Sequence, residues 1–177
     1  MERTELEHRL NALIGGELTA FLQYEFASHS VIGTDFDTCT NEFKQHADEE
    51  RSHMNTLIEC AIERDLSINQ DLITVMQNAT PNYELMSANS TDYLVKFHLN
   101  AEENAIKAYK EFYNEIKDED ITLANEIKSI LHDEIEHRKD LKKIFGSIND
   151  LKEDTKAIDP SIYANFSKLT KRLRRIW

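Results

Sequence analysis

Residues that break helices are scarce in this chain, whose 177 residues include only 4 glycines and 2 prolines. Architectures built from strands and tight turns need many such residues, so their scarcity favours long helices. No apolar run approaches the roughly 18 residues of a membrane span, and the N-terminal segment, residues 1–8, is charged and shows no export signal. We therefore expect an all-α protein that lies in the cytoplasm and does not contact a membrane.

Cysteine is also scarce, because Cys39 and Cys60 are the only two in the chain. They fall on one predicted helix, where a rise of about 1.5 Å per residue separates them by roughly 30 Å, far beyond disulfide reach. Neither belongs to a Cys-x-x-Cys pair, which excludes a zinc-ribbon or rubredoxin-type iron site. We expect two reduced thiols, Cys60 in the core and Cys39 at a helix end.

One short motif, Glu-x-x-His, occurs at residues 50–53 and again at residues 134–137. On a helix, positions i and i+3 share one face, so the carboxylate and the imidazole can reach the same metal ion. A lone glutamate precedes each copy by a similar interval, Glu17 in the first half and Glu102 in the second. This set is the one that builds a two-metal carboxylate site inside a four-helix bundle. The six candidate ligands are Glu17, Glu50, His53, Glu102, Glu134 and His137.

Apolar residues recur at spacings of three and four in four segments, which predicts four long helices. The first helix ends before Gly33, and the second begins near residues 38–41. The third begins near residues 90–92, and the fourth extends from about Asp120 to Gly146. The connection over residues 64–89 is too long for a tight turn and predicts a crossover along the bundle.

Each candidate ligand occupies a place in an apolar stripe and not on a charged face. On the third helix this register selects Glu102 over its neighbour Glu103. Four buried carboxylates would repel one another and lose hydration, whereas two divalent cations would supply four compensating positive charges. The alternative interpretations are that these are buried Glu–His pairs without metal, or that the apolar stripes are assigned one residue out of phase.

Three segments carry a resemblance to a known family. Residues 17–24 (ELTAFLQY) are similar to the first-helix motif of bacterioferritins, while residues 100–106 (NAEENAI) and 130–137 (ILHDEIEH) resemble the Dps-like miniferritins that have a bacterioferritin-type site. Over residues 5–146 the chain thus resembles the ferritin-like superfamily. The resemblance implies a ferritin-like four-helix bundle in residues 1–146, with a long crossover between the second and third helices and a short C-terminal fifth helix.

The resemblance also implies roles for individual residues. Glu50 and Glu134 become bridging ligands, and the other four candidates become terminal ligands of two iron ions per subunit, for which Mn or Zn could substitute. Tyr24 and Tyr109 become groups beside the metals; the alternative is that they are core tyrosines.

The activity implied is that of a ferroxidase, which oxidises Fe²⁺ with O₂ or H₂O₂ and deposits ferric mineral in a homo-oligomeric cage of 12 or 24 subunits. Two alternatives share the same ligands: a di-iron oxygenase or oxidase acting on an organic substrate, and a manganese catalase-like protein.

Two positions depart from the family pattern. Arg51 stands where bacterioferritins have a haem-ligating Met, so no haem is expected. Asn104 stands where the Dps-like group has one cysteine of a pair, so the role of that pair is not transferred to Cys39 and Cys60.

The C-terminal segment, residues 147–177, is predicted to be a linker followed by a short amphipathic helix that begins at Asp159 and Pro160. The last ten residues carry five basic side chains and no acid, in a chain with a net charge of −12. Two interpretations stay open. One is packing within an assembly or an internal contact with acidic residues, and the other is contact with DNA or another protein.

Overall fold

Four long helices and one short helix make up this computed structural model, which describes the backbone of residues 1–157 and the side chains of residues 1–149. The elements are α1 (Arg3–Ser30), α2 (Phe36–Ile62), α3 (Leu72–Gln77), α4 (Thr91–Ile116) and α5 (Ile121–Ala157). The described part of the chain contains no strand, which confirms the expected all-α bundle. The predicted C-terminal helix lies outside the described residues.

The hydrophobic core has two parts, and the candidate ligands lie between them on every long helix. One part gathers residues 10–14, 57–66, 105–116 and 123–130, and the other gathers residues 24–31, 39–47, 94–95 and 141–148. The chain passes from the first part to the second along α1 and α5, and from the second to the first along α2 and α4. Consequently α1 and α2 form one antiparallel hairpin, α4 and α5 form another, and α2 lies parallel to α4. Only a crossover can make that connection, as the long segment after α2 predicts.

The crossover, which is the segment between α2 and α4 and includes α3, lies against α1. Two of the four glycines allow its backbone to approach α1 closely. A Cβ on Gly16 would lie 2.1 Å from the carbonyl oxygen of Thr80, and one on Gly15 would lie 2.7 Å from that of Val75. The Thr80 N–H donates to the carbonyl of Ala12 at 2.8 Å, which fixes the crossover to the helix. The two glycines therefore stand inside α1 because the crossover backbone occupies the space that side chains would fill.

The helix end predicted at Gly146 is wrong, because α5 continues to Ala157. An interior glycine costs about 1 kcal/mol relative to alanine, which favourable burial on either side can outweigh. Ile144 is buried before the glycine and Ile148 is buried after it, so the apolar stripe passes through this position without interruption. The division into domains at residue 146 stays a prediction, although the helix crosses it.

Among the described residues, no helix is both long enough and apolar enough to span a bilayer.

Candidate metal centre

All six candidate ligands converge at the middle of the bundle. Each is buried, with an exposed fraction between 1% for Glu50 and 6% for His53. The helix register on α4 is as predicted, because Glu102 is buried and Glu103 is exposed. A buried, charged carboxylate destabilises the folded protein unless a neighbouring group or an ion compensates its charge. The groups around each glutamate therefore indicate what the site can bind.

The two histidines turn the same nitrogen towards the carboxylates. Nδ1 of His53 lies 3.2 Å from Oε2 of Glu50, 3.2 Å from Oε1 of Glu134 and 3.5 Å from Oε2 of Glu17. Nδ1 of His137 lies 3.4 Å from Oε1 of Glu50 and 3.9 Å from Oε2 of Glu102. Glu50 thus presents one oxygen to each histidine.

These ligands form two overlapping groups of four, one on each side of the centre. Within each group, one nitrogen or oxygen per residue lies within 4.8 Å of the others. Both groups contain Glu50 and Glu134, while Glu17 and His53 complete one and Glu102 and His137 complete the other. Two shared carboxylates with one further carboxylate and one imidazole on each side match the arrangement of a dinuclear site.

Several buried ligand atoms have no hydrogen-bond partner in the described structure. They are Oε2 of Glu17, Oε1 of Glu134 and Nδ1 of His137. Buried polar atoms in proteins nearly always have a partner, and a bound ion is one of the explanations for an exception. Because carboxylate oxygens and imidazole nitrogens suit iron, manganese and zinc, the donor set fits a pair of such ions.

Two tyrosines connect the halves of the site. The hydroxyl of Tyr24, on α1, donates a hydrogen bond to Glu102 on α4, and the hydroxyl of Tyr109, on α4, donates to Glu17 on α1. Both tyrosines are fully buried, and burial together with the adjacent carboxylates raises the pKa of each phenol. They therefore stay protonated donors that orient the two outer carboxylates.

The charges in the metal-free site are distributed unevenly. Burial and the charge of Glu50 raise the pKa of Glu17, and burial and the charge of Glu134 raise that of Glu102. For Glu50, burial acts to raise the pKa, but the adjacent imidazoles of His137 and His53 outweigh it and hold the pKa well below its usual range. Without metal, Glu17 and Glu102 thus hold their protons more tightly than ordinary carboxyl groups, whereas Glu50 holds its proton less tightly.

Both imidazoles hold their protons because carboxylates surround them. Burial acts to lower the pKa of each, but the surrounding carboxylates outweigh it, so the pKa of His53 is raised and that of His137 is raised to about 12. Metal binding must displace these protons, because the ligating nitrogen has to be unprotonated.

Two carboxylates that the sequence analysis missed contact the outward nitrogens of the histidines. Nε2 of His137 donates to Glu49 at 2.8 Å, and Nε2 of His53 lies 3.3 Å from Asp133. Glu49 directly precedes the shared Glu50, and Asp133 directly precedes the shared Glu134. In both contacts the carboxylate lies in one helical hairpin and the histidine lies in the other. The sequence signal was an acid before the Glu-x-x-His motif in both copies. Such partners hold a ligating imidazole in one orientation and one tautomer.

We expect Glu49→Ala or Asp133→Ala to weaken metal binding at the centre by about 10- to 100-fold, because the histidine it contacts loses its orienting partner. Calorimetric titration of the metal-free protein with Zn²⁺ measures the effect. Asp48→Ala is the matched control, since Asp48 adjoins Glu49 but is exposed and pairs with Arg51. Equal Zn²⁺ affinities in all three variants would show that Glu49 and Asp133 do not orient the histidines.

A small cavity reaches the centre from the side of the crossover. Its volume is about 40 Å³, and its lining includes Glu17, Glu50, Glu102 and Glu134 together with Pro81. Since one water molecule needs roughly 10–15 Å³ on this measure, the cavity holds a few waters or a diatomic molecule.

The family model of the ferritin-like domain matches residues 7–151, so the chain belongs to the ferritin-like family. Among solved structures, the chain is similar to the dodecameric thioferritin of Bacteroides fragilis, a bacterioferritin-related protein. The two share 28% identity over 87% of this chain and 92% of that one, with a TM-score of 0.84.

Two further solved structures are similar at lower identity and show the fold alone. The Dps protein of Staphylococcus aureus is 12% identical over 81% of this chain and 97% of its own, with a TM-score of 0.75. A ferritin-like diiron-carboxylate protein of Bacillus anthracis is 18% identical over 82% and 99%, with a TM-score of 0.69. A comparison with curated proteins gave no match.

Proposed function

We propose that this protein is a ferroxidase of the ferritin type. It would oxidise Fe²⁺ at a dinuclear centre inside each subunit and store the ferric product in an oligomeric shell. The observation that carries the proposal is the pair of overlapping ligand groups that share Glu50 and Glu134. Two ions held by common carboxylates are close enough to give up their electrons to one oxidant molecule.

The ligand chemistry favours oxidation of bound Fe²⁺. Carboxylate oxygens are hard donors that stabilise Fe³⁺ more than Fe²⁺, whereas the two neutral imidazoles retain affinity for Fe²⁺. Glu50 and Glu134 would bind both ions. Glu17 and His53 would be the remaining ligands of one ion, and Glu102 and His137 those of the other.

The electrons and protons balance without any further cofactor. Two Fe²⁺ ions lose one electron each, and H₂O₂ accepts both and becomes two water molecules on taking up two protons. With O₂ as the oxidant, the same two electrons and two protons produce H₂O₂. The protons that His53 and His137 release when iron binds are available nearby, because both imidazoles are protonated in the free site.

The size of the cavity supports a small oxidant over an organic substrate. Pockets that bind organic ligands usually span roughly 300–1,000 Å³, whereas the cavity at the four carboxylates is about 40 Å³. O₂ and H₂O₂ fit this volume, which favours them over a larger organic substrate.

Storage requires a shell, since one bundle of this size encloses no mineral. The thioferritin of Bacteroides fragilis is a dodecamer, and this supports the smaller of the two predicted shells. The net charge of −12 on each chain would draw cations towards the openings of such an assembly.

Size-exclusion chromatography with light scattering, followed by iron analysis after aerobic Fe²⁺ loading, tests the proposal. We expect a closed oligomer of twelve subunits that elutes together with far more iron than two ions per subunit. A monomer or dimer that retains at most two iron ions per subunit would contradict iron storage. It would favour the di-iron oxygenase or oxidase alternative.

A further inference from the structure

A second cavity, the surface cavity, lies directly outside the small inner cavity at the dinuclear centre. Its volume is about 310 Å³, and it is formed between the crossover and α4. The two cavities share four lining residues, which are Pro81, Asn82, Glu84 and Asn104. A residue that lines both cavities stands at the boundary between them. The surface cavity therefore adjoins the inner cavity, whose lining includes four of the six candidate ligands.

The crossover is fixed to α1 but not to α4 at this point. The side-chain amide of Gln23, on α1, donates to the carbonyl of Glu84 at 2.7 Å, and the N–H of Thr80 donates to the carbonyl of Ala12. By contrast, in the described structure no hydrogen bond or ion pair joins residues 80–84 to α4. The boundary between the crossover and α4 is thus the side on which the two cavities can connect.

Small side chains on α4 leave the space that the cavities occupy. Ala101 and Ala105 line the inner cavity, and Ala108 lines the surface cavity. Asn104 is the only residue of α4, a fully described helix, that lines both cavities, and it is exposed. The size of its side chain therefore sets the width of the connection.

The inner cavity is large enough for a small neutral oxidant but not for a hydrated ion. At roughly 10–15 Å³ for each water, an ion that keeps about six waters needs roughly 60–90 Å³. The cavity measures about 40 Å³. O₂ and H₂O₂ fit this volume, and they carry no charge whose hydration would be lost on entry.

Carboxylates on another face of the bundle are available to cations. Glu49 and Asp133, beside the outward nitrogens of the two histidine ligands, have side chains that are 41% and 50% exposed. Neither of them lines the inner cavity or the surface cavity. In the surface cavity, Lys107 offsets one of the two carboxylate charges, which belong to Glu84 and Glu111. A cation therefore has an acidic approach to the histidine ligands that does not use the cavities.

We propose that the boundary between the crossover and α4 is the passage by which the oxidant, O₂ or H₂O₂, reaches the dinuclear centre, and that Asn104 sets its width. The inference rests on the proposed ferroxidase function, because it assigns a route to the second substrate of that reaction. Fe²⁺ reaches the centre by a different route. The passage is thus selective for small molecules without charge.

Binding of NO to the anaerobic, Fe²⁺-loaded assembly tests the passage without any need for oxidation. NO is a neutral diatomic molecule like O₂, and stopped-flow absorbance follows its binding to Fe²⁺. We expect Asn104→Phe to slow NO binding by about tenfold, because the ring fills the connection. Asn104→Ala should bind NO at least as fast as the unmodified protein does.

Asn114→Phe is the matched control, because it makes the same change on the same helix. Asn114 is exposed and lines neither cavity. Its replacement should leave the rate of NO binding unchanged. An unchanged rate in Asn104→Phe as well would overturn the passage.

The rate of Co²⁺ binding to the metal-free assembly tests whether the passage distinguishes the oxidant from ions. Asn104→Phe should bind Co²⁺ at the rate of the unmodified protein, and this result also shows that the variant folds and keeps its metal centre. If Asn104→Phe slows Co²⁺ binding as much as NO binding, ions use the same passage and its assignment to the oxidant is wrong.

Fe²⁺ oxidation by H₂O₂ and by O₂, measured in the same variants, separates this inference from the proposed function. If Asn104→Phe slows NO binding but no variant oxidises Fe²⁺, the ferroxidase function is contradicted, while a passage for small neutral molecules is supported. If all the variants oxidise Fe²⁺ rapidly and bind NO at one rate, the ferroxidase function is supported and the passage is overturned.

Discussion

Replacement of Glu50 or Glu134 by glutamine is expected to abolish rapid Fe²⁺ oxidation. Each carboxylate is shared by both ligand groups, so its loss disturbs both ions together and not one alone. Loss of a group that only orients a metal ligand costs about 10- to 100-fold in metal affinity or activity, so loss of a shared ligand should cost about 100-fold or more. Stopped-flow absorbance of the ferric product under air measures the initial rate.

Glu103→Gln is the control for this experiment. Glu103 adjoins the candidate ligand Glu102, but it is exposed and lies 4.0 Å from Lys142 on the surface. Its replacement should leave the oxidation rate close to that of the unmodified protein. If the Glu103 variant is inactive while Glu102→Gln is active, both the α4 register and the ligand assignment are wrong.

Metal loading is expected to raise the melting temperature substantially. A ligand that binds only the folded state at 100 times its dissociation constant stabilises that state by about 2.7 kcal/mol per site. Two such sites in a chain of this size correspond to a rise of about 10–20 °C. Differential scanning calorimetry of the metal-free protein with and without excess Zn²⁺ measures the shift.

The double variant Glu50→Gln/Glu134→Gln is the matched control for the thermal experiment. It should lose most of the Zn²⁺-dependent shift, because both ligand groups lose the two carboxylates that they share. Identical melting temperatures of the unmodified protein with and without Zn²⁺ would exclude a metal site in the core.

The metal-free protein should also become less stable as the pH rises from about 6.5 to 8.5. The folded-state pKa values of His53 and His137 are raised above 6.5, so in this range the folded state holds protons on both imidazoles that the unfolded state has lost. Stability falls with rising pH where the folded state holds more protons, by about 1.4 kcal/mol per pH unit for each extra proton. Metal binding should oppose this trend, since deprotonated ligands bind metal more tightly.

The sequence predicts correctly those features that depend on a single helix, such as which residues face the interior of the bundle. Spacings of three and four placed Glu102 inside the bundle and Glu103 outside, because the register of one helix fixes which face each residue occupies. The repeat of Glu-x-x-His, with one earlier glutamate in each half, identified residues that the structure brings together.

The sequence was less informative where two helices meet. Glu49 and Asp133 contact histidines on another helix, and spacing within one helix does not specify which residues will face them. The continuation of α5 past Gly146 depends on the burial of Ile148, a tertiary contact that outweighs the local preference of glycine.

The crossed hydrogen bonds of the two tyrosines have a consequence for how the chain folds. The hydroxyl of Tyr24 finds its acceptor in the other hairpin, and so does that of Tyr109. Each hairpin can form from contacts that are close in sequence, which is fast, but each then carries a phenol and a carboxylate whose partners are absent. Docking of the two hairpins is therefore the step that completes the site. Any opening between them would leave these groups unpaired, so the late docking step also makes the assembled bundle cooperative.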